Sequence, residues 1–203
     1  MKQKLSIIAV AAAFAALRER IGANLVPVPY RFGQSGAVVN TKSTTITNLD
    51  AAQVVRAKAF ANGAPIKEFI ETVEVVTGDS AASTYRFFRV PSWLRVSSLI
   101  ADTDDMGTTT TADIGLYRTL ADGAAVVDAD FFASALVWNA GALANQDVTH
   151  ESGVVDLPNY GKRIWEQLGL AADPQVYYDV VATLVGAADA GGSAVLRLRG
   201  TEV

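Results

Sequence analysis

Cysteine is absent from the 203 residues, and histidine occurs once, as His150. The first absence removes disulfides, thiolate metal sites and cysteine nucleophiles. The second removes multi-histidine metal sites and leaves any Ser-His-Asp arrangement resting on one imidazole. Lysine is scarce, confined to Lys2, Lys4, Lys42, Lys58, Lys67 and Lys162. Neither a Walker loop nor a G-x-G-x-x-G occurs. Only 19% of the residues are charged and 50% are apolar, a balance that excludes wholesale disorder. What remains is a chain long enough for one ample core, or one domain with an extension.

The net charge of −4 is unevenly spread. Residues 1–65 carry eight bases and two acids, whereas residues 66–203 carry nine bases and nineteen acids. A basic first third on an acidic body reads as an arm that lies on something negative. That surface belongs to a neighbouring copy, another acidic protein or nucleic acid.

The arm opens with MKQKLSIIAVAAAFAALRER. Its basic start and apolar run have the outline of a secretory signal. The run is alanine-rich and short for a bilayer, and Arg18-Glu19-Arg20 continue the same helical pattern to Ile21. The sequence therefore predicts a helix over Leu5–Ile21, stopped at Gly22 and apolar nearly all round. Such a helix needs burial, here against another subunit, and a membrane is not the expected partner. Val26 to Tyr30 must be extended, because Pro27 and Pro29 forbid helix. Val38 to Leu49 is Thr-rich and suits a strand added to a sheet, and Ala51 to Phe60 suits a short helix capped by Asp50. Such a length without a core of its own predicts an arm, residues 1–65, followed by a domain, residues 66–203.

From Ile66 the texture is that of short strands. Phe69–Val76, Thr84–Val90, Trp93–Ile100, Gln175–Val185 and Ala194–Arg199 are expected strands, and Phe131–Trp138 a strand or short helix. The clearest unit is the stretch from Asp113 to Phe132, read as strand, two-residue Asp122-Gly123 turn, strand. It places Ile114, Leu116 and Arg118 on one face and Tyr117 on the other. Asn139–Ser152 reads as loop. Tyr160–Leu170 reads as helix, with Ile164, Trp165 and Leu168 at helical spacing. The expected fold is all-β, an antiparallel jelly-roll-like sandwich with one short helix, preceded by the helix-containing arm.

Four groups of residues invite chemistry. Asp102, Asp104, Asp105 and Asp113 echo a calcium loop, but Met106 stands at the fifth ligand position and no glutamate at the twelfth. His150-Glu151-Ser152 could supply acid–base pieces, yet no nucleophile-elbow glycines surround any serine. Asp128 and Asp130 lie two apart on a strand and so share a face, as glycosidase carboxylates do; a charged hairpin edge is the simpler account. Arg86, Arg89 and Arg95 among Tyr85, Phe87, Phe88 and Trp93 resemble a stacking platform. Alternation makes the aromatics core, and an acidic domain repels phosphates, so nucleic acid is not an expected partner. No catalytic, cofactor or metal residue is assigned.

Several segments resemble a known group. Asp113-Ile-Gly-Leu-Tyr-Arg118, Asp122 to Phe132, Gly161 to Leu170, Ala172-Asp-Pro174 and Tyr178-Asp-Val180 together resemble tailed-bacteriophage virion structural proteins, of the capsid-associated decoration or cement type. The resemblance covers residues 66–203 and not the arm. It implies a non-enzymatic virion component without cofactors. Its implied partners are the major capsid protein and copies of itself, with a trimer as the family expectation. The expected role is decoration of the head, stabilising it by binding neighbouring subunits. A head–tail connector or tail component is the alternative, and a carbohydrate-binding module or hydrolase on the same fold the third. The contact residues expected in the arm are Leu5, Ile8, Phe14, Leu17, Arg18 and Arg20 on the helix, and Val26, Val28, Tyr30 and Arg31 on the extended segment.

Overall fold

In the computed structural model, residues 64–139 and 141–202 are described. The strands β1 (Lys67–Val75), β2 (Thr84–Pro91), β3 (Leu94–Thr103), β4 (Thr111–Arg118), β5 (Val126–Val137), β6 (Leu143–Asp147), β7 (Tyr177–Leu184) and β8 (Gly192–Glu202) follow in order. One turn of helix, α1 (Ile164–Gln167), lies between β6 and β7.

The strands form two four-stranded sheets, β1-β8-β3-β6 and β2-β7-β4-β5. Every pairing is antiparallel. First pairs with last, second with seventh, third with sixth and fourth with fifth, as when one long hairpin is wrapped into a barrel. This is a jelly roll, the double Greek key among antiparallel sandwiches.

Alternation supplies the core. Leu94, Val96, Leu99 and Ala101 of β3 and Leu196 and Leu198 of β8 are buried from one sheet. Ile114 and Leu116 of β4 with Val180, Ala182 and Leu184 of β7 meet them from the other. Each of the valine, leucine and isoleucine side chains contributes about 1.5–3 kcal/mol by leaving water. Phe131 and Phe132 are both fully buried, in edge-to-face contact at 4.8 Å. At the β1–β2 side Phe69 stacks on Phe88, ring centroids 5.8 Å apart.

The register departs from simple alternation at several places, in β2, β3 and the β4–β5 pair. In β3 a bulge between Val96 and Ser98 turns Leu99 inward, so Ser98 does not continue the inner row expected from Leu94 and Val96. In β5 the pairing with β4 jumps from Ala133 opposite Ile114 to Asp128 opposite Leu116. Gly115 sits beneath that jump. A Cβ there would lie 2.1 Å from the Asp128 carbonyl oxygen and 2.3 Å from the Ala129 carbonyl, so only glycine lets the two backbones approach.

The β4–β5 hairpin forms as expected, but its turn is not the two-residue type. After β4 a single 3-10 turn spans Leu120–Asp122, with Thr119 as N-cap, and Gly123 follows at φ 84°. The Thr119 hydroxyl donates to the Asp122 carboxylate at 2.7 Å and accepts from its amide. Asp122 is thus a capping residue, and only Gly123 and Ala124 take positive φ. The helix expected over Tyr160–Leu170 shrinks to α1. Gly161 and Gly169 at positive φ close it from both ends, and Arg163 pairs with Arg95 as an isolated bridge. Part of the expected Asn139–Ser152 loop is β6.

Candidate functional site

The ten expected contact residues of the arm, Leu5, Ile8, Phe14, Leu17, Arg18, Arg20, Val26, Val28, Tyr30 and Arg31, lie outside the described residues. The same holds for the expected helices at 5–21 and 51–60 and the expected strand at 38–49. The four groups on the body are all described.

The aspartates of the 102–113 stretch do not converge. Asp102 holds Arg197 at 2.9 Å and accepts from the Asn145 amide. Asp104 accepts from the Ser193 amide, Asp105 from the Gly107 amide, and Asp113 from the Ala135 amide. No metal-holding group of acids or histidine occurs among the described residues. Met106, which breaks the calcium pattern, is fully buried and anchors the loop. The loop closes instead on Asp189 from the β7–β8 connection, which accepts from the Thr108 hydroxyl at 2.6 Å and from the amides of Thr108 and Thr109. The Thr108 hydroxyl and then the amides bring the Asp189 carboxyl down to about 2. Gly107 at φ 96° permits this, since a Cβ would sit 2.2 Å from an Asp189 oxygen.

His150, Glu151 and Ser152 each fasten loop to sheet. His150 Nδ1 pairs with the Val155 carbonyl, and its ring tilts against Tyr160. Glu151 accepts from the Ser134 amide at 2.6 Å. Ser152 donates its hydroxyl to the Phe131 carbonyl and its amide to that of Phe132. None of these three meets another in a catalytic relay.

Asp128 and Asp130 do interact. The Asp128 carboxyl is pushed up, chiefly by burial and then by the neighbouring Asp130. Two carboxyls close together resist double ionisation.

The arginines of the β2–β3 region are engaged as well. Arg86 and Arg89 both grip Asp179, at 2.8 and 2.7 Å. Arg86 also donates to the Arg118 carbonyl and lies over the Tyr117 ring. Phe87 is buried and Phe88 stacks on Phe69, so the aromatics belong to the core and its margin. Burial and the nearby Arg163 lower the Arg95 pKa, while Glu166 raises it.

Two surface features were not read from the sequence. One is the outward row of β1, which pairs with β8 through Glu68–Arg199 at 2.7 Å and Glu74–Ser193, leaving Ile70 half exposed between them. The other is a cleft of about 450 Å³ lined, among the described residues, by Trp93, Arg163, Asp173 and Gln175. Buried Ser92 organises it. The Ser92 hydroxyl donates to Asp173 at 2.5 Å, its carbonyl accepts from the Trp165 amide, and its amide donates to the Val176 carbonyl. The Trp93 and Gly161–Leu170 segments could have hinted at this cleft, but their approach across the fold has no local sequence mark.

No family model and no curated protein matches this sequence. Among solved structures, a chain of the cyanophage Pam1 capsid asymmetric unit is similar, at 16% identity and a TM-score of 0.49, over 83% of this chain and 100% of its own. A chain from the acidic stable capsid structure of Helicobacter pylori bacteriophage KHP30 is similar at 15% identity and a TM-score of 0.32, over 68% of this chain and 93% of its own. Both are bacteriophage capsid structures, the class of particle to which the sequence resemblance points. With TM-scores below 0.5 neither likeness carries an argument for role, which rests on this chain's own residues and topology.

Proposed function

We propose that this chain is a structural protein of a bacteriophage virion, and within it a decoration or cement protein of the head. The observation that carries the reading is where the resembling segments fall. Asp113–Arg118 is β4, Asp122–Phe132 is the hairpin tip and first half of β5, Gly161–Leu170 contains α1, and Tyr178–Val180 lies in β7. The three strand segments belong to one sheet and the α1 segment adjoins β3 of the other, in a jelly roll, an architecture used by viral capsid domains and also by lectin domains. The fold by itself does not separate these roles.

The body, residues 66–203, is the rigid element and residues 1–65 the arm. The arm's basic charge complements acidic neighbours, either copies of the same body or the major capsid protein. The helix and the extended Val26–Tyr30 segment that its sequence predicts would bind by burying side chains and adding strand pairs. Symmetry repeats each contact around the particle, so weak single contacts become strong together. A trimer is the self-association the reading favours.

The test is deletion of residues 1–25. Attachment to purified capsids is lost while the melting temperature of the body is unchanged. Full occupancy by the truncated protein would sink the role given to the arm.

A further inference from the structure

We propose that the cleft beside Trp93 binds a neutral saccharide, giving this virion protein a glycan-binding site. The lining decides the ligand class. Arg163 donates and is positive, Asp173 accepts and is negative, and Gln175 does both. An anion would meet Asp173 and a cation would meet Arg163. A neutral ligand bearing many hydroxyls satisfies all three. Trp93 gives the apolar face of a sugar ring a flat wall, and Tyr177 packs against the indole at 5.5 Å and 67°, about half exposed itself. At about 450 Å³ the cleft is within the size of small-ligand sites, though open rather than enclosed.

The polar groups are held ready. Both hydrogen bonds to Asp173, from the Ser92 hydroxyl and from the Gln175 amide at 2.9 Å, go to Oδ1, which leaves Oδ2 as an acceptor. The Arg163 Nε is buried without a hydrogen-bond partner. Gln175 is held at φ 52°, a left-handed conformation that a glycine would take without strain.

Of the three tryptophans, the structure singles out one. Trp138 is fully buried, and Trp165 is not among the cleft's lining residues. The test is a titration of the full chain with maltotriose, cellotriose and chitotriose, followed by indole resonances in two-dimensional NMR. At least one trisaccharide binds saturably at millimolar concentration, shifting the Trp93 indole and not that of Trp138. Trp93→Ala weakens that binding at least tenfold. Gln175→Gly weakens it several-fold while raising the melting temperature, a combination that a purely structural glutamine would not give. Absence of saturable binding by all three sugars overturns the proposal. So does binding that Trp93→Ala and Gln175→Gly leave unchanged, the second variant serving if the first fails to fold. Neither result bears on whether the chain is found in virions.

Discussion

Gly115 carries more of the fold than its missing side chain suggests. The backbone of Asp128 and Ala129 lies where its Cβ would be, and backbone cannot swing aside as a side chain can. Gly115→Ala is expected to cost about 2–3 kcal/mol in urea unfolding, in the range of overpacked interiors. Asp189 carries the loop end in a different way. Its folded pKa, about 2, lies below the ordinary 3.8, so its contribution is fully present above the ordinary value and is lost as pH falls through 2. Amide exchange at Thr108 should therefore stay slow down to about pH 3, and Asp189→Asn should speed it at neutral pH. Asp128 has the opposite sign. Its raised pKa means that the folded state holds the proton better, so its penalty is present at neutral pH and relieved on acidification. Asp130→Asn removes one cause of the shift, and carbon-detected titration should find the Asp128 midpoint lowered; an unmoved midpoint would leave burial as the sole cause. At this scale the sequence marked Asp128 and Asp130 but not Gly115 or Asp189, and it did not show the partners of the latter two. The reason is distance along the chain: Asp189 meets Thr108, and Asp173 meets Ser92, across most of a domain.

The β4–β5 hairpin shows what was legible at the scale of elements. Alternation in β4 and a turn at Gly123 were both readable, and Ile114 and Leu116 do face the core. The turn geometry was not readable, because a threonine cap competes with the Asp-Gly turn for the same residues. Thr119→Ala removes that cap and should cost about 1 kcal/mol; an effect below a few tenths would assign the turn to Gly123 alone. β6 was missed since Leu-Ala-Asn-Gln-Asp has no apolar alternation and Asn145 bonds through its backbone to Asp102 at positive φ. It is an edge strand defined by its neighbour β3, and edges need no apolar face. The helical spacing around Ile164 was read correctly, but α1 is cut to one turn where Arg163 joins the sheet at Arg95. The cleft lay hidden for a related reason. Asp173-Pro174 lies just beyond the helix expected over Tyr160–Leu170, and in the fold Asp173 turns back to buried Ser92.

For the whole molecule, the sequence predicts a basic arm followed by an acidic sandwich, and the structure supplies the strand order that makes the sandwich a jelly roll. Strand order was out of reach of local pattern because every sheet neighbour apart from β4–β5 is distant in sequence. The residues expected to make contacts sit outside the described part, so the functional account concentrates on the particle rather than on the isolated chain. Its central claim is that this protein is a repeated part of a phage head. The most direct measurement is quantitative mass spectrometry of purified virions, with copies counted against the major capsid protein. The account predicts a fixed ratio corresponding to roughly hundreds of copies, the number that shell symmetry gives a decoration protein. About twelve copies would mark a connector ring instead, and absence from the purified particle would contradict the account.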